Sequence, residues 1–260
     1  MAVDVVVVNY RTPDLLRDFC ASYERHAFSG CTLTVVDVDP LRDAALDLPE
    51  TFHDALLRLD ENRGYAYACN RGARDGRNDV ILLANSDTLL SDGFRECHAA
   101  LTAHSDWGIL GPRQVDASSR LTAGGIFGTP ERPAPRGWLQ PDTGQCGDVR
   151  DDAVTVAGSL FFIKRSVWDL LTQCELFQTA NPGAIGAFLD TKLYYEETFC
   201  AYHARAHGYK CVYYGAVKMT HLYHKSIGSQ SGGWGEEQFQ LSRRLFQEAC
   251  AVHGIPCGSA

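Results

Sequence analysis

The sequence predicts an α/β fold, a mostly parallel Rossmann-like sheet with helices on both faces. Two observations carry this. Apolar runs rich in valine, isoleucine and leucine, such as Val5-Val6-Val7-Val8 and Val80-Ile81-Leu82-Leu83-Ala84, have the length and composition of strands buried on both faces. Between them lie stretches with helical start signals and helical spacing, and strands alternating with helices imply parallel neighbours covered on each side. A chain of 260 residues buries one large core without a second, so a single domain over 1–260 is expected.

Residues 2–8 read as the first strand from their valine run. Residues 13–26 read as a helix, with Thr12 as N-cap and Pro13 at the first helical position, where its missing N–H costs nothing. Residues 32–36 read as strand, 56–59 as a short strand, 65–74 as helix and 79–84 as strand. A helix over 93–104 and a short strand over 109–111 follow. From 129 to 152 the text changes: Pro130, Pro133, Pro135 and Pro141 are interspersed with Gly137, Gly144 and Gly147, which predicts a long irregular segment of the kind that forms lids or binding loops. Beyond it come a strand over 155–163, a helix from about 166, a helix over 197–207, a strand over 210–217 and a final helix over 236–253. There is no internal repeat.

Hydrophobic residues make up 45% and charged residues 22%, which argues against a disordered chain and a membrane protein. No apolar stretch has the length to span a bilayer and the N-terminus has no signal-type pattern, so a cytoplasmic protein is expected. A formal charge of −8 argues against a broad polyanion-binding surface. The ten cysteines are irregularly spaced and read as reduced thiols. No Cys-x-x-Cys pair occurs, and His203, His207, His221 and His224 have no cysteine or carboxylate partners at familiar zinc spacing, so no structural zinc site is expected.

One strand end carries chemistry. Asn85-Ser86-Asp87-Thr88 follows the run 80–84, which delivers the Asp87 carboxylate to the carboxyl edge of the sheet, where open α/β folds bind ligands. A hard divalent cation prefers oxygen ligands and usually retains substrate phosphates among them, so one such carboxylate can hold metal and diphosphate together. The competing reading of Asp87 is a turn or helix cap.

Around that strand end stand, in order, Val7-Val8-Asn9-Tyr10, Val36-Asp37-Val38-Asp39, Glu61-Asn62-Arg63-Gly64-Tyr65-Ala66-Tyr67-Ala68-Cys69-Asn70-Arg71-Gly72, Val156-Ala157-Gly158-Ser159, Tyr194-Tyr195-Glu196-Glu197, Gly208-Tyr209-Lys210, and His221 with Ser226. This series resembles the family 2 glycosyltransferases of GT-A fold, in particular the rhamnosyltransferase-like branch, over about residues 3–228. The resemblance implies a nucleotide-sugar-binding half at 1–112, an acceptor and catalytic half at 113–228, and a C-terminal lid and helix at 229–260.

It also implies an inverting, metal-dependent transfer of a single sugar from a nucleotide-diphosphate sugar to an acceptor hydroxyl. Asp87 would hold Mn²⁺ or Mg²⁺, with His221 beside the diphosphate. Asn85 and Ser86 stand where the family places an acid or asparagine and a proline. Glu197 would be the base. As a carboxylate in the first turn of a helix, it is expected to be ionised at neutral pH. Asn9, Tyr10 and Arg11, with Asp37 or Asp39, would hold the base and ribose; a carboxylate accepting an imide N–H favours a uracil or thymine donor. Asn62, Gly64, Asn70 and Arg71 would form the next wall, with Arg71 offering a fork to phosphate. Tyr65 and Tyr67 are expected to pack, with stacking of one of them on the donor as the alternative, and residues 230–234 to form a lid.

Two positions depart from the family pattern. Phe199 replaces an acid and His203 an arginine, which removes a salt bridge. The acceptor expected is a glycan or small molecule. Alternatives are a hydroxylated base in DNA, and a degenerate member that binds nucleotide-sugar without turnover. A nucleotidyltransferase is disfavoured, because no glycine-rich, lysine-bearing loop follows Val8.

Overall fold

Seven consecutive buried residues, Val3–Asn9, form β1 at the centre of the sheet. The computed structural model describes residues 2–39, 53–129, 132–222 and 234–255. Pro40, Pro130, His224, Ser226 and positions 230–233 of the expected lid lie outside these residues. After β1 come α1 (Pro13–His26), β2 (Thr32–Asp37), β3 (Ala55–Arg58), α2 (Tyr65–Ala73) and β4 (Val80–Asn85). A two-residue β5 (Thr88–Leu89) precedes α3 (Gly93–Ala103), β6 (Trp107–Val115) and β7 (Leu121–Ala123). Then follow β8 (Ile126–Thr129), β9 (Arg132–Pro135), β10 (Val149–Arg150), β11 (Leu160–Lys164), α4 (Arg165–Gln173), α5 (Glu175–Ala180), α6 (Glu196–Ala206), β12 (Lys210–His221) and α7 (Trp234–Val252).

The strands lie in the order β10-β12-β6-β11-β4-β1-β2-β3. β3, β2, β1 and β4 are mutually parallel, and β6 is parallel to β12. β11 runs antiparallel between β4 and β6, while β5, β7 and β10 are antiparallel additions. The mostly parallel α/β expectation therefore holds.

Alternate residues of each strand divide the core in two. Val6, Val36, Leu83 and Phe161 pack against α2, α4 and α6 on one face. Val5, Val35, Leu82 and Phe162 pack against α1 and α3 on the other. Burying each such side chain contributes about 1.5–3 kcal/mol. Gly72 lets α2 lie close on the sheet, since a Cβ there would run into Val6. A third apolar cluster joins Phe177 of α5, Phe199 of α6 and Phe246 of α7.

Several elements differ from expectation. The 129–152 segment is not irregular throughout: β8 and β9 pair as a two-stranded sheet, and β10 joins the main sheet. Pro133 and Pro135 sit on β9 of this short ribbon, where a missing N–H is tolerated, and Arg136 ties the segment to Asp148 at 2.6 and 2.9 Å. The strand expected over 155–163 begins only at Leu160; Thr155 makes one isolated bridge to Ile126, and Gly158-Ser159 form a turn. β6 is longer than its apolar core suggests, and its pairing with β12 shifts register at Pro112, which lacks the N–H to continue the ladder. Thr12 holds the N-cap position of α1 without a side-chain cap, because its hydroxyl is engaged elsewhere.

Candidate active site

The carboxyl ends of β1, β2 and β4 open onto a cleft of about 380 Å³. Tyr10 and Val38 line one end, Asn62, Gly64 and Tyr65 the adjoining wall, and Asn85, Gly158 and Ser159 the floor. Lys192, Leu193 and Tyr194 close the opposite side, with Glu196, Glu197 and His221 reaching in.

A hydrogen-bond chain aligns the strand ends beneath the cleft. Asn9 donates to Asp37 at 3.0 Å and accepts from the Thr12 hydroxyl at 3.0 Å, and that hydroxyl meets Ser86 at 2.7 Å. Burial pushes the Asp37 carboxyl up, opposed by the Asn9 bond. Arg11, at a left-handed φ of 58°, donates to Asp39 at 3.2 Å. Asn9, Asp37, Asp39 and Ser86 are buried, so they hold the frame of the cleft, and Tyr10 is the part of this group that lines it.

Asp87 sits directly behind the floor, fully buried, with Oδ1 3.4 Å from His221 Nε2. Strand pairing sets this approach: Thr88 of β5 lies opposite His221 of β12, and the Leu222 N–H donates to the Asp87 carbonyl at 2.8 Å. One carboxylate oxygen and one imidazole nitrogen form a donor set suited to Mn²⁺ ahead of the all-oxygen preference of Mg²⁺, with diphosphate and water left to complete the shell. The residues present fit a divalent cation.

Gly64 begins the next wall. Its φ of +104° is in glycine's range, and a Cβ would collide with the Lys192 carbonyl. That carbonyl accepts the Tyr65 N–H at 3.0 Å, and the Asn62 side chain accepts the Gly64 N–H at 3.0 Å. Tyr65, expected to pack, lines the cleft and donates its hydroxyl to the Gly158 carbonyl at 2.7 Å. Asn70 faces away from the cleft: its amide clamps the backbone of Phe188, accepting the N–H at 3.1 Å and donating to the carbonyl at 2.9 Å. Arg71 is half-exposed on α2, outside the lining.

Two consecutive tyrosines with left-handed backbone, Tyr194 (φ 71°) and Tyr195 (φ 70°), turn the chain into α6. Such conformations cost about 1–3 kcal/mol each and persist where surrounding structure imposes them. Here Phe246 packs on Tyr195 at 5.1 Å, and Ser242 of α7 donates to the Leu193 carbonyl at 2.6 Å. The turn points both glutamates at the cleft. Glu196 is buried and accepts from Thr191 at 3.0 Å; burial first, then the neighbouring Glu197, holds its carboxyl well above the usual range. Glu197 lies against Gly158, and its Oε2 has no hydrogen-bond partner. Burial pushes its pKa up to about 7. The expectation of full ionisation at neutral pH is therefore corrected: desolvation outweighs the helix dipole.

Lys192 and Leu193 were absent from the candidates read from the sequence, whereas Tyr194 and Glu196 stood in the motif, Glu196 as the rival of Glu197 for the base. They lie in a stretch without periodicity, and the adjacent Tyr-Tyr before Glu-Glu was its one local signal. Phe199 and His203, which replace an acid and an arginine of the family pattern, are buried in the aromatic cluster instead of forming an ion pair.

No protein-family model and no curated protein matches the sequence. Solved structures match the fold. Residues 1–349 of S. aureus TarS superpose with a TM-score of 0.59 at 13% identity, over 96% of this chain and 65% of that one. The mannosyltransferase PcManGT from Pyrobaculum calidifontis, in complex with GDP-Man and Mn²⁺, gives 0.57 at 13%, over 99% and 76%. GalNAc-T7 with UDP, GalNAc and Mn²⁺ gives 0.64 at 12%, over 100% and 52%. The chain thus spans just under two thirds of the TarS fragment and about half of the GalNAc-T7 chain. The likeness establishes a GT-A type fold.

Proposed function

We propose that this chain is an inverting glycosyltransferase of the rhamnosyltransferase-like branch, moving one sugar from a UDP- or dTDP-linked donor to a hydroxyl of a glycan or small molecule. The observation that carries the reading is Glu197: a carboxylate with one unpartnered oxygen and a pKa pushed up to about 7, lining the same cleft as His221, whose Nε2 lies 3.4 Å from Asp87. A base poised at the working pH accepts a proton efficiently while remaining ionised in a large fraction of molecules.

The nucleobase would sit between Tyr10 and Val38, with the Asp37 and Asp39 carboxylates, buried behind this end of the cleft and bonded to Asn9 and Arg11, as the acceptors proposed for an imide N–H. Asn62, Gly64 and Tyr65 flank the ribose and diphosphate, and Lys192 offers a cation at the rim. When bound, Mn²⁺ or Mg²⁺ held by Asp87 and His221 supplies positive charge to the leaving diphosphate. The sugar lies over Gly158 and Ser159, where the small side chains leave space beside Glu197. As the acceptor oxygen bonds to the anomeric carbon, its proton passes to Glu197, and the bond from that carbon to the diphosphate oxygen breaks with its electron pair leaving on the diphosphate. Attack from the face opposite the leaving group inverts the anomeric centre. Glu196 sets the first turn of α6 through the bond it accepts from Thr191.

Titration calorimetry with UDP, dTDP, GDP and ADP in Mn²⁺ tests the donor assignment. Tighter binding of UDP or dTDP than of the purine nucleotides is expected. Equal binding of all four, or of none, would remove the pyrimidine reading.

A further inference from the structure

At the far end of α6 from Glu197, three side chains from distant parts of the chain converge. Cys174 Sγ, at the junction of α4 and α5, His203 of α6 and His253, just past α7, bring their ligand atoms within 4.8 Å of one another. Both ring nitrogens of the buried His203 lack hydrogen-bond partners, as does Nε2 of His253. Unpaired buried nitrogens are costly.

We infer that Cys174, His203 and His253 form a zinc-type metal site that fastens the C-terminal helix to the α5–α6 face. Zn²⁺ takes sulfur at about 2.3 Å and nitrogen at about 2.0–2.1 Å, so tetrahedral ligands stand roughly 3.3–3.6 Å apart. The three ligand atoms already lie within 4.8 Å of one another, so they close further around the ion when it binds. A soft thiolate with two imidazoles selects zinc over the hard cations expected at Asp87. Binding displaces the Cys174 thiol proton to solvent as the sulfur–metal bond forms. Phe177 and Phe199 lie 5.4–6.0 Å from the two imidazoles and keep the site dry. Packing alone does not account for the cluster, since phenylalanine at 203 would fill the space without orphaned nitrogens. The absence of a zinc signal in the sequence has a simple cause: the ligands come from three separate elements, so no local spacing betrays them.

The site bears on the cleft, because α7 carries the Ser242 hydroxyl that holds the Leu193 carbonyl. The test uses the full chain, stripped with chelator and then supplied with excess Mg²⁺ to fill the Asp87 position. Titration with Co²⁺ is expected to give a thiolate-to-cobalt charge-transfer band with tetrahedral visible absorption, saturating at one equivalent. Zn²⁺ should abolish the band stoichiometrically and raise Tm. Cys174→Ser and His253→Gln, both at half-buried positions and checked for native near-UV circular dichroism, should each lose the band, whereas Asp87→Asn should keep it. Absence of the band in the unmodified protein, or its survival at full intensity in folded Cys174→Ser or His253→Gln, would overturn the assignment.

Discussion

At Glu197 two effects compete. The first turn of a helix favours an ionised carboxylate, while burial favours the protonated form, and burial prevails, with a pKa of about 7. A base works only when ionised, so kcat/KM should fall as pH drops below about 7 and level off above it. Glu197→Gln should lower kcat by about 10²–10⁴-fold with donor affinity little changed, and should abolish that pH dependence. Glu196→Gln should be milder, because the motif spacing assigns the base to Glu197 while Glu196 is engaged by Thr191. Exchanged effects between the two variants would mean that Glu196 is the base. The identity of this pair was legible in the family motif, whereas its protonation was not, because burial depends on the strands and loops packed around it. Asn70 gives the converse case. The motif placed it among ligand-binding residues, yet its amide closes on the Phe188 backbone. Asn70→Ala should cost about 1–3 kcal/mol of stability, read from the urea midpoint, with nucleotide affinity retained in the folded fraction.

Among the elements, the wall built on Gly64 depends on close approach. The α2 start and the Lys192 carbonyl meet there with no room for a side chain. Gly64→Ala should therefore destabilise the protein by about 1–3 kcal/mol and raise the donor KM, because the Tyr65 N–H bond to Lys192 must lengthen. Unchanged Tm and KM would show that the loop carrying Lys192 yields freely. The parallel strands of the first half were readable from their apolar runs, and α1 from Pro13, because those signals are local. β5 and the full length of β12 were not readable: a two-residue strand has no period, and the pairing of Thr88 with His221 joins residues far apart in sequence. That same pairing is what brings His221 to Asp87. The proline-rich segment was misjudged for a related reason, since its order comes from Arg136 and Asp148 and from pairing of short edges.

For the whole molecule, the mixed sheet gathers the functional groups at one edge. The chain Asp37, Asn9, Thr12, Ser86 aligns three strand ends, and α7 braces the loop that faces them. Among the described residues, no helix is long and apolar enough to cross a membrane. The reaction proposed for this edge is release of a nucleoside diphosphate from a sugar donor with the help of the Asp87 and His221 pair. The most direct measurement is nucleoside diphosphate release from a panel of UDP- and dTDP-sugars in Mn²⁺, by the unmodified protein and by Asp87→Asn, with and without EDTA. Release by the unmodified protein that EDTA removes and Asp87→Asn lacks is the predicted result. Release by Asp87→Asn in EDTA at the unmodified rate, or no release from any donor by the unmodified protein, would contradict the account.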